Sequence, residues 1–161
     1  MMIRTGFAAV ALVAVLALTG QGQANGLTAV QDDEAMQDPI SGAMLDGSEW
    51  RAVLVGASRL SADDGVTIAF AEGRVSGRSG CNRFTGGYEA DMLAPGSVAA
   101  ALEFGPLAGT RMACPGRGDE VEAMVLPALE AVDGFLLDAA GRLLLLSGAE
   151  VVLVALPADP A

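Results

Sequence analysis

Two cysteines, Cys81 and Cys114, stand 33 positions apart in a chain that opens like an export signal, and they constrain its fold more than any other feature. Each lies in a short dense motif: Cys81 in SGCNRFTGGY (Ser79 to Tyr88) and Cys114 in GTRMACPG (Gly109 to Gly116). A pair of thiols delivered to an oxidising compartment is most simply read as one disulfide. The rival reading is a redox-active pair, but reactive pairs more often take the form Cys-x-x-Cys. A structural bridge is therefore favoured, and the fold must bring the two motifs together.

The export signal is read from Arg4, the apolar run Phe7 to Leu18 and the small residues Gly22-Gln23-Ala24 ahead of Asn25. A basic start, a short apolar stretch and a small-residue cleavage site are the parts of a secretory signal peptide. The run is 12 residues long, short of the ~20 that span a bilayer. Gln21 follows Thr19-Gly20 where a lipoprotein would carry its acylated cysteine. The expected product is a soluble periplasmic or secreted protein with no stable membrane anchor, monomeric, with residues 1–24 removed.

Composition removes whole classes of chemistry. Without the leader, eight arginines face twenty carboxylates, a formal charge of −12, and there is no lysine or histidine. Nucleic-acid binding draws its affinity from a basic surface, so it is disfavoured, as is adhesion to anionic lipid. The absence of histidine excludes Ser-His-Asp and Cys-His catalysis and histidine-based metal sites. The absence of lysine excludes Schiff-base chemistry. No cofactor or metal is implied. A pair of carboxylates or a reactive thiol remains as the catalytic option, yet no spacing singles out a carboxylate; Asp32-Asp33-Glu34 and Asp63-Asp64 read as solvated linker or turn residues.

Residues 25–46 are polar, acidic and poorly periodic, the pattern of a flexible lead-in. Residues 47–157 form one domain of roughly 110 residues, a common domain size, and 158–161 a short tail. Trp50 to Ala57 reads as a first strand. Val66, Ile68 and Phe70 alternate with smaller or polar residues, the period of a half-buried strand. Glu72-Gly73 offers a tight reversal into Arg74 to Gly77. Shorter strands follow at Gly86 to Ala90 and Ala100 to Phe104. From Asp119 to Val132 the period becomes helical, with Val121, Met124, Val125, Ala128, Leu129 and Val132 on one stripe and Glu120, Glu122 and Glu130 elsewhere. Pro127 predicts a kink or a division near Leu126. Phe135 to Leu137, Arg142 to Leu146 and Val151 to Leu156 then form a closing antiparallel meander. Strands, one helix and more strands describe an α+β domain with the helix packed on one face.

Within the motifs, Gly77, Gly80, Gly86 and Gly87 suit backbone bends and close approach rather than a phosphate loop. Asn82 suits a local turn bond, with a ligand contact as the alternative. Phe84, Tyr88 and Phe104 are read as core rather than stacking platforms. Arg83 and Arg111 each lie within three residues of a motif cysteine. A bridge between the cysteines would let them share one face, there to pair with carboxylates, the favoured reading, or to hold an anion.

GCNRFTGGY followed by TRMAC, an amphipathic helix and a C-terminal pair of apolar strands resembles the META domain family, and within it the bacterial heat-inducible HslJ-type envelope proteins. The resemblance covers about Ser48 to Leu156. It implies a small α+β fold with a strongly curved, mainly antiparallel sheet, and an envelope setting linked to heat stress, novobiocin resistance, and secretion or motility. It implies no enzymatic activity. HslJ-type members are commonly lipoproteins, and this chain departs from them in lacking the acylated cysteine. The expected function is a non-catalytic role in envelope stress or maintenance, through binding of an envelope protein or a hydrophobic ligand in an apolar concavity. The alternative is a carboxylate-pair hydrolase or isomerase acting on an envelope glycan.

Closing a loop of this length stabilises a fold by about 3–4 kcal/mol. In protein shown to begin oxidised, reductant should lower the thermal midpoint by roughly 10–20 °C. An unchanged midpoint would remove the disulfide as a structural staple.

Overall fold

The computed structural model describes residues 41–114 and 116–158. The leader, residues 25–40 of the acidic lead-in, Pro115 and the last three residues lie outside the described residues. In chain order the elements are β1 (Ser48–Val55), β2 (Ser58–Arg59), β3 (Val66–Ala71), β4 (Arg74–Ser79), β5 (Arg83–Ala90), β6 (Ala100–Phe104), β7 (Ala108–Gly109), α1 (Arg117–Glu130), β8 (Gly134–Leu137), β9 (Leu143–Ser147) and β10 (Glu150–Pro157). Short 3-10 turns occupy Gly42–Met44 and Ala62–Asp64.

The alternation of apolar and polar residues becomes strands as expected. Val66, Ile68 and Phe70 of β3 point inward and are almost wholly buried. Glu72 and Gly73 both take positive φ, 51° and 71°, to turn β3 into β4. That geometry matches the right-handed twist of a hairpin.

The expected curved, mainly antiparallel sheet curves far enough to close into a barrel. Neighbouring strands run β1–β3–β4–β5–β6–β8–β9–β10, and β10 pairs with β1 to complete the ring. Every pairing is antiparallel. The short β2 and β7 add to β1 and β5 outside the ring. Two register shifts provide the curvature: one between Ala52 and Leu54 where β1 meets β10, the other between Val151 and Leu153 where β10 meets β9. Such bulges bend a strand and sharpen its twist. Gly77 adds a close approach in β4, where a Cβ would run into the Thr67 carbonyl oxygen of β3.

Side chains fill the barrel. Phe70, Phe135, Ile68, Leu102, Leu143, Leu145 and Leu153 are all at most 1% exposed. Helix α1 lies against β1, β4 and β10 and sends Val121, Val125 and Leu129 into the same core. It runs unbroken for 14 residues through Pro127, so of the two expected outcomes, a kink or a division near Leu126, the division does not occur. Pro127 and Ala123, whose carbonyl loses its usual helix partner, are both exposed, where water can substitute. The core also reaches ahead of Gly47: Leu45, placed by composition in the lead-in, is fully buried.

Candidate functional site

The two cysteine motifs meet at the first turn of α1. Cys81 and Cys114 form a disulfide with a Cα–Cα distance of 6.1 Å, within the ordinary range for a bridge. Gly118 packs directly on it; a Cβ there would stand 3.3 Å from the Cys81 Cβ and 3.4 Å from the Cys114 Cβ. Asp119 Oδ1 accepts from the Cys114 N–H at 3.3 Å.

Beside the disulfide, Asn82 is 4% exposed and uses all of its side-chain hydrogen-bonding capacity. Its Nδ2 donates to the Met112 carbonyl and to Glu122 Oε1, each at 3.2 Å. Its Oδ1 accepts from the Thr110 hydroxyl and the Met112 N–H, each at 2.8 Å. Glu122 Oε2 accepts the Asn82 N–H at 3.2 Å and lies 3.3 Å from the Ser79 hydroxyl. The local turn bond expected of Asn82 is thus replaced by bonds to partners 28 to 40 residues away. One asparagine joins the first motif, the second motif and the helix.

Asp64 corrects another expectation. It is not a solvated turn residue: its side chain is 4% exposed. It accepts from the Ser61 N–H at 2.7 Å, the Ser61 hydroxyl at 3.0 Å, and Arg117 Nε and Nη2 at 2.8 and 3.1 Å. The Arg117 guanidinium, followed by the Ser61 N–H, holds its carboxyl well below the usual carboxylate range. The signal for this was present in Ser61-Ala62-Asp63-Asp64, which has the spacing of a capping box. Glu122 offered no such signal, because its acceptors are satisfied only by tertiary neighbours.

The remaining motif residues disperse. Phe84 is buried in the core. Tyr88 and Phe104 are half-buried around Phe70, with ring centroids 5.0 Å away edge-on and 6.1 Å away stacked. Burial, then the Asp46 charge, raise the Tyr88 hydroxyl above its ordinary value. Arg83 and Arg111 are exposed. Among the described residues the ion pairs are Arg117–Asp64 and Arg142–Asp138, so the ion pairs favoured for Arg83 and Arg111 are not formed. A shallow, mainly apolar groove of about 400 Å³ runs beside β7, lined by Arg83, Phe84, Thr85, Ala108, Gly109 and Thr110. A second depression of about 430 Å³ carries Glu89 and Glu103, which are direct cross-strand partners, beside Tyr88 and Phe104.

The META domain matches residues 43–160, most of the chain. An NMR structure of a protein from Burkholderia xenovorans is similar, with 30% identity and a TM-score of 0.57, over 73% of this chain and 86% of that one. A second NMR structure is 27% identical with a TM-score of 0.52, over 72% of this chain and 93% of the other. No curated protein matches. The chain belongs to the META domain family.

Two outcomes follow from this hub and its neighbour. Asn82→Ala strands the Met112 N–H and the Thr110 hydroxyl and should cost about 2–4 kcal/mol in denaturant unfolding of the oxidised protein. The depressed Asp64 carboxyl contributes stability that is complete above the ordinary carboxylate value of about 3.9 and is lost as pH falls through its lower folded value. Wild-type stability should therefore fall as pH drops below about 4. Asp64→Asn should flatten much of that slope, leaving the part owed to Asp138, whose carboxyl is lowered by hydrogen bonds from Arg142 and Ala140.

Proposed function

We propose that this META domain is a non-catalytic binding protein of the bacterial envelope, exported by its leader, of HslJ type and acting in stress response or maintenance. The observation that carries the binding reading is the apolar groove beside β7, formed by residues of both cysteine motifs. The disulfide and the Asn82 hub hold these motifs rigidly, so the groove is preorganised and little entropy is lost on docking. The barrel interior is filled, which moves binding to this outer surface and favours an apolar side chain of a partner protein over an enclosed lipid.

The carboxyl chemistry supports the same reading. A general acid of a glycan-cleaving pair needs a raised affinity for its proton. Among the described residues, Asp64 and Asp138 have carboxyls displaced downward, and both are engaged by arginine.

The test is capture from an envelope extract on the immobilised, oxidised mature protein, in parallel with Ala108→Asp, which places a charge in the groove. A protein retained by wild type and lost with Ala108→Asp is the expected result. Retention of nothing specific, or equal retention by both, would overturn the reading. So would turnover of an envelope glycan by wild type that disappears in Glu89→Gln or Glu103→Gln.

A further inference from the structure

Four of the chain's nine arginines lie on one outer face of the barrel. Cross-strand register places Arg51 of β1 opposite Thr67 of β3, Thr67 opposite Arg78 of β4, and Arg78 opposite Arg83 of β5. Direct partners in antiparallel strands point to the same side of the sheet, so these four side chains form one row. The parallel row two residues along each strand, Glu49, Ala69, Ser76 and Thr85, is made of small side chains apart from Glu49. Arg74 stands beyond it, with Nη2 bonded to the Thr85 hydroxyl at 3.1 Å.

This arrangement is unfavourable in the absence of a ligand. Arg78 and Arg83 are like charges on directly opposed positions, a destabilising pair. The chain has twenty carboxylates, yet among the described residues none forms an ion pair with Arg51, Arg74, Arg78 or Arg83. Between the two rows lies a depression of about 300 Å³ lined by Arg78, Arg83, Thr67, Ser76 and Glu49, above Gly77 and Phe84.

We propose that this depression is a binding site for a phosphate oxyanion. Arg78 and Arg83 present two planar guanidinium forks, the group best matched to phosphate oxygens, and Thr67 and Ser76 add hydroxyl donors. A tetrahedral dianion has enough acceptor oxygens to engage both forks and a hydroxyl together; a single carboxylate does not. The overall negative charge does not forbid this, because at physiological salt charges farther away than about 8 Å are largely screened. Glu49 is the one carboxylate lining the depression. It weakens binding of a bare dianion and favours a phosphate ester whose organic part offers an amine or hydroxyl donor. The site adjoins the partner groove and shares Arg83 and Phe84 with it, but Arg78 lines this depression alone and Ala108 the groove alone.

Titration of ¹⁵N-labelled oxidised mature protein with inorganic phosphate at physiological ionic strength tests the site. Saturable shifts of the Thr67, Ser76, Arg78 and Arg83 amides are expected. Arg78→Ala should weaken binding by about tenfold or more, since hydrogen bonds to charged groups carry at least that much. Arg111→Ala, at an exposed residue that does not line the depression, should leave it unchanged, and Glu49→Gln should tighten it. No saturable shifts, equal shifts from chloride at matched ionic strength, or undiminished affinity in Arg78→Ala with a wild-type melting midpoint would each overturn the proposal. Soluble glycerol phosphate and vesicles of phosphatidylcholine doped with phosphatidic acid separate the sources. Binding of the soluble ester alone assigns a free metabolite, co-sedimentation with the doped vesicles assigns a lipid headgroup, and binding of neither leaves inorganic phosphate itself.

Discussion

Where Asn82 meets Glu122, a neutral amide and a carboxylate share hydrogen bonds at 3.2 Å beside a disulfide, and the meeting of three chain segments depends on that contact. The Ser79–Asn82 turn ends β4, the Thr110–Cys114 segment follows β7, and Glu122 lies in the second turn of α1. The ladder beside them is short, the two-residue pairing of β7 with β5, and it does not reach the helix. A carboxylate that accepts two or three donors is a strong anchor, because hydrogen bonds to charged groups exceed neutral ones. The disulfide limits how far the motifs can separate, and the asparagine sets their orientation. With both in place the first turn of α1 is fixed, and its apolar stripe is directed into the barrel.

Closure of the barrel then decides where function can reside. An open curved sheet under a helix offers a concave apolar face. Here the same inward residues meet one another across a closed ring, and Val121, Val125 and Leu129 complete the packing. Binding chemistry is left to the outside, which carries a groove of motif residues beside β7 and a face of arginines across β1, β3, β4 and β5. Arg83 borders both. Its place two residues after Cys81 and directly after Asn82 makes it part of a rigid frame, which is what a surface binding group requires to act without large entropic cost.

Much of this was legible in the chain. The strands at Val66 to Phe70 and Ala100 to Phe104, the helix stripe of Val121, Val125 and Leu129, and the reversal at Glu72-Gly73 all arise from periods and turn chemistry that operate within a few residues. The pairing of Cys81 with Cys114 followed from their being the only two thiols. Closure was not legible, because alternation is the same in a curved sheet and in a barrel; the β1–β10 pairing that closes the ring joins residues about a hundred positions apart. Leu45 was hidden in an acidic segment, since one apolar residue carries no period.

The sequence by itself determined the longer elements, their order and the bridge between two motifs, because propensity, alternation and thiol count are properties of local chain or of composition. Only the tertiary structure decided which polar residues are buried and with whom. Asn82 and Asp64 look like ordinary turn residues in the chain, and Glu122 like an ordinary solvated helix position. Their roles come from partners dozens of residues away, since a buried polar group is stable only where the fold supplies its hydrogen bonds. The two cysteines that restricted the fold at the outset are therefore one part of a larger joint, whose other members became visible only when the barrel closed.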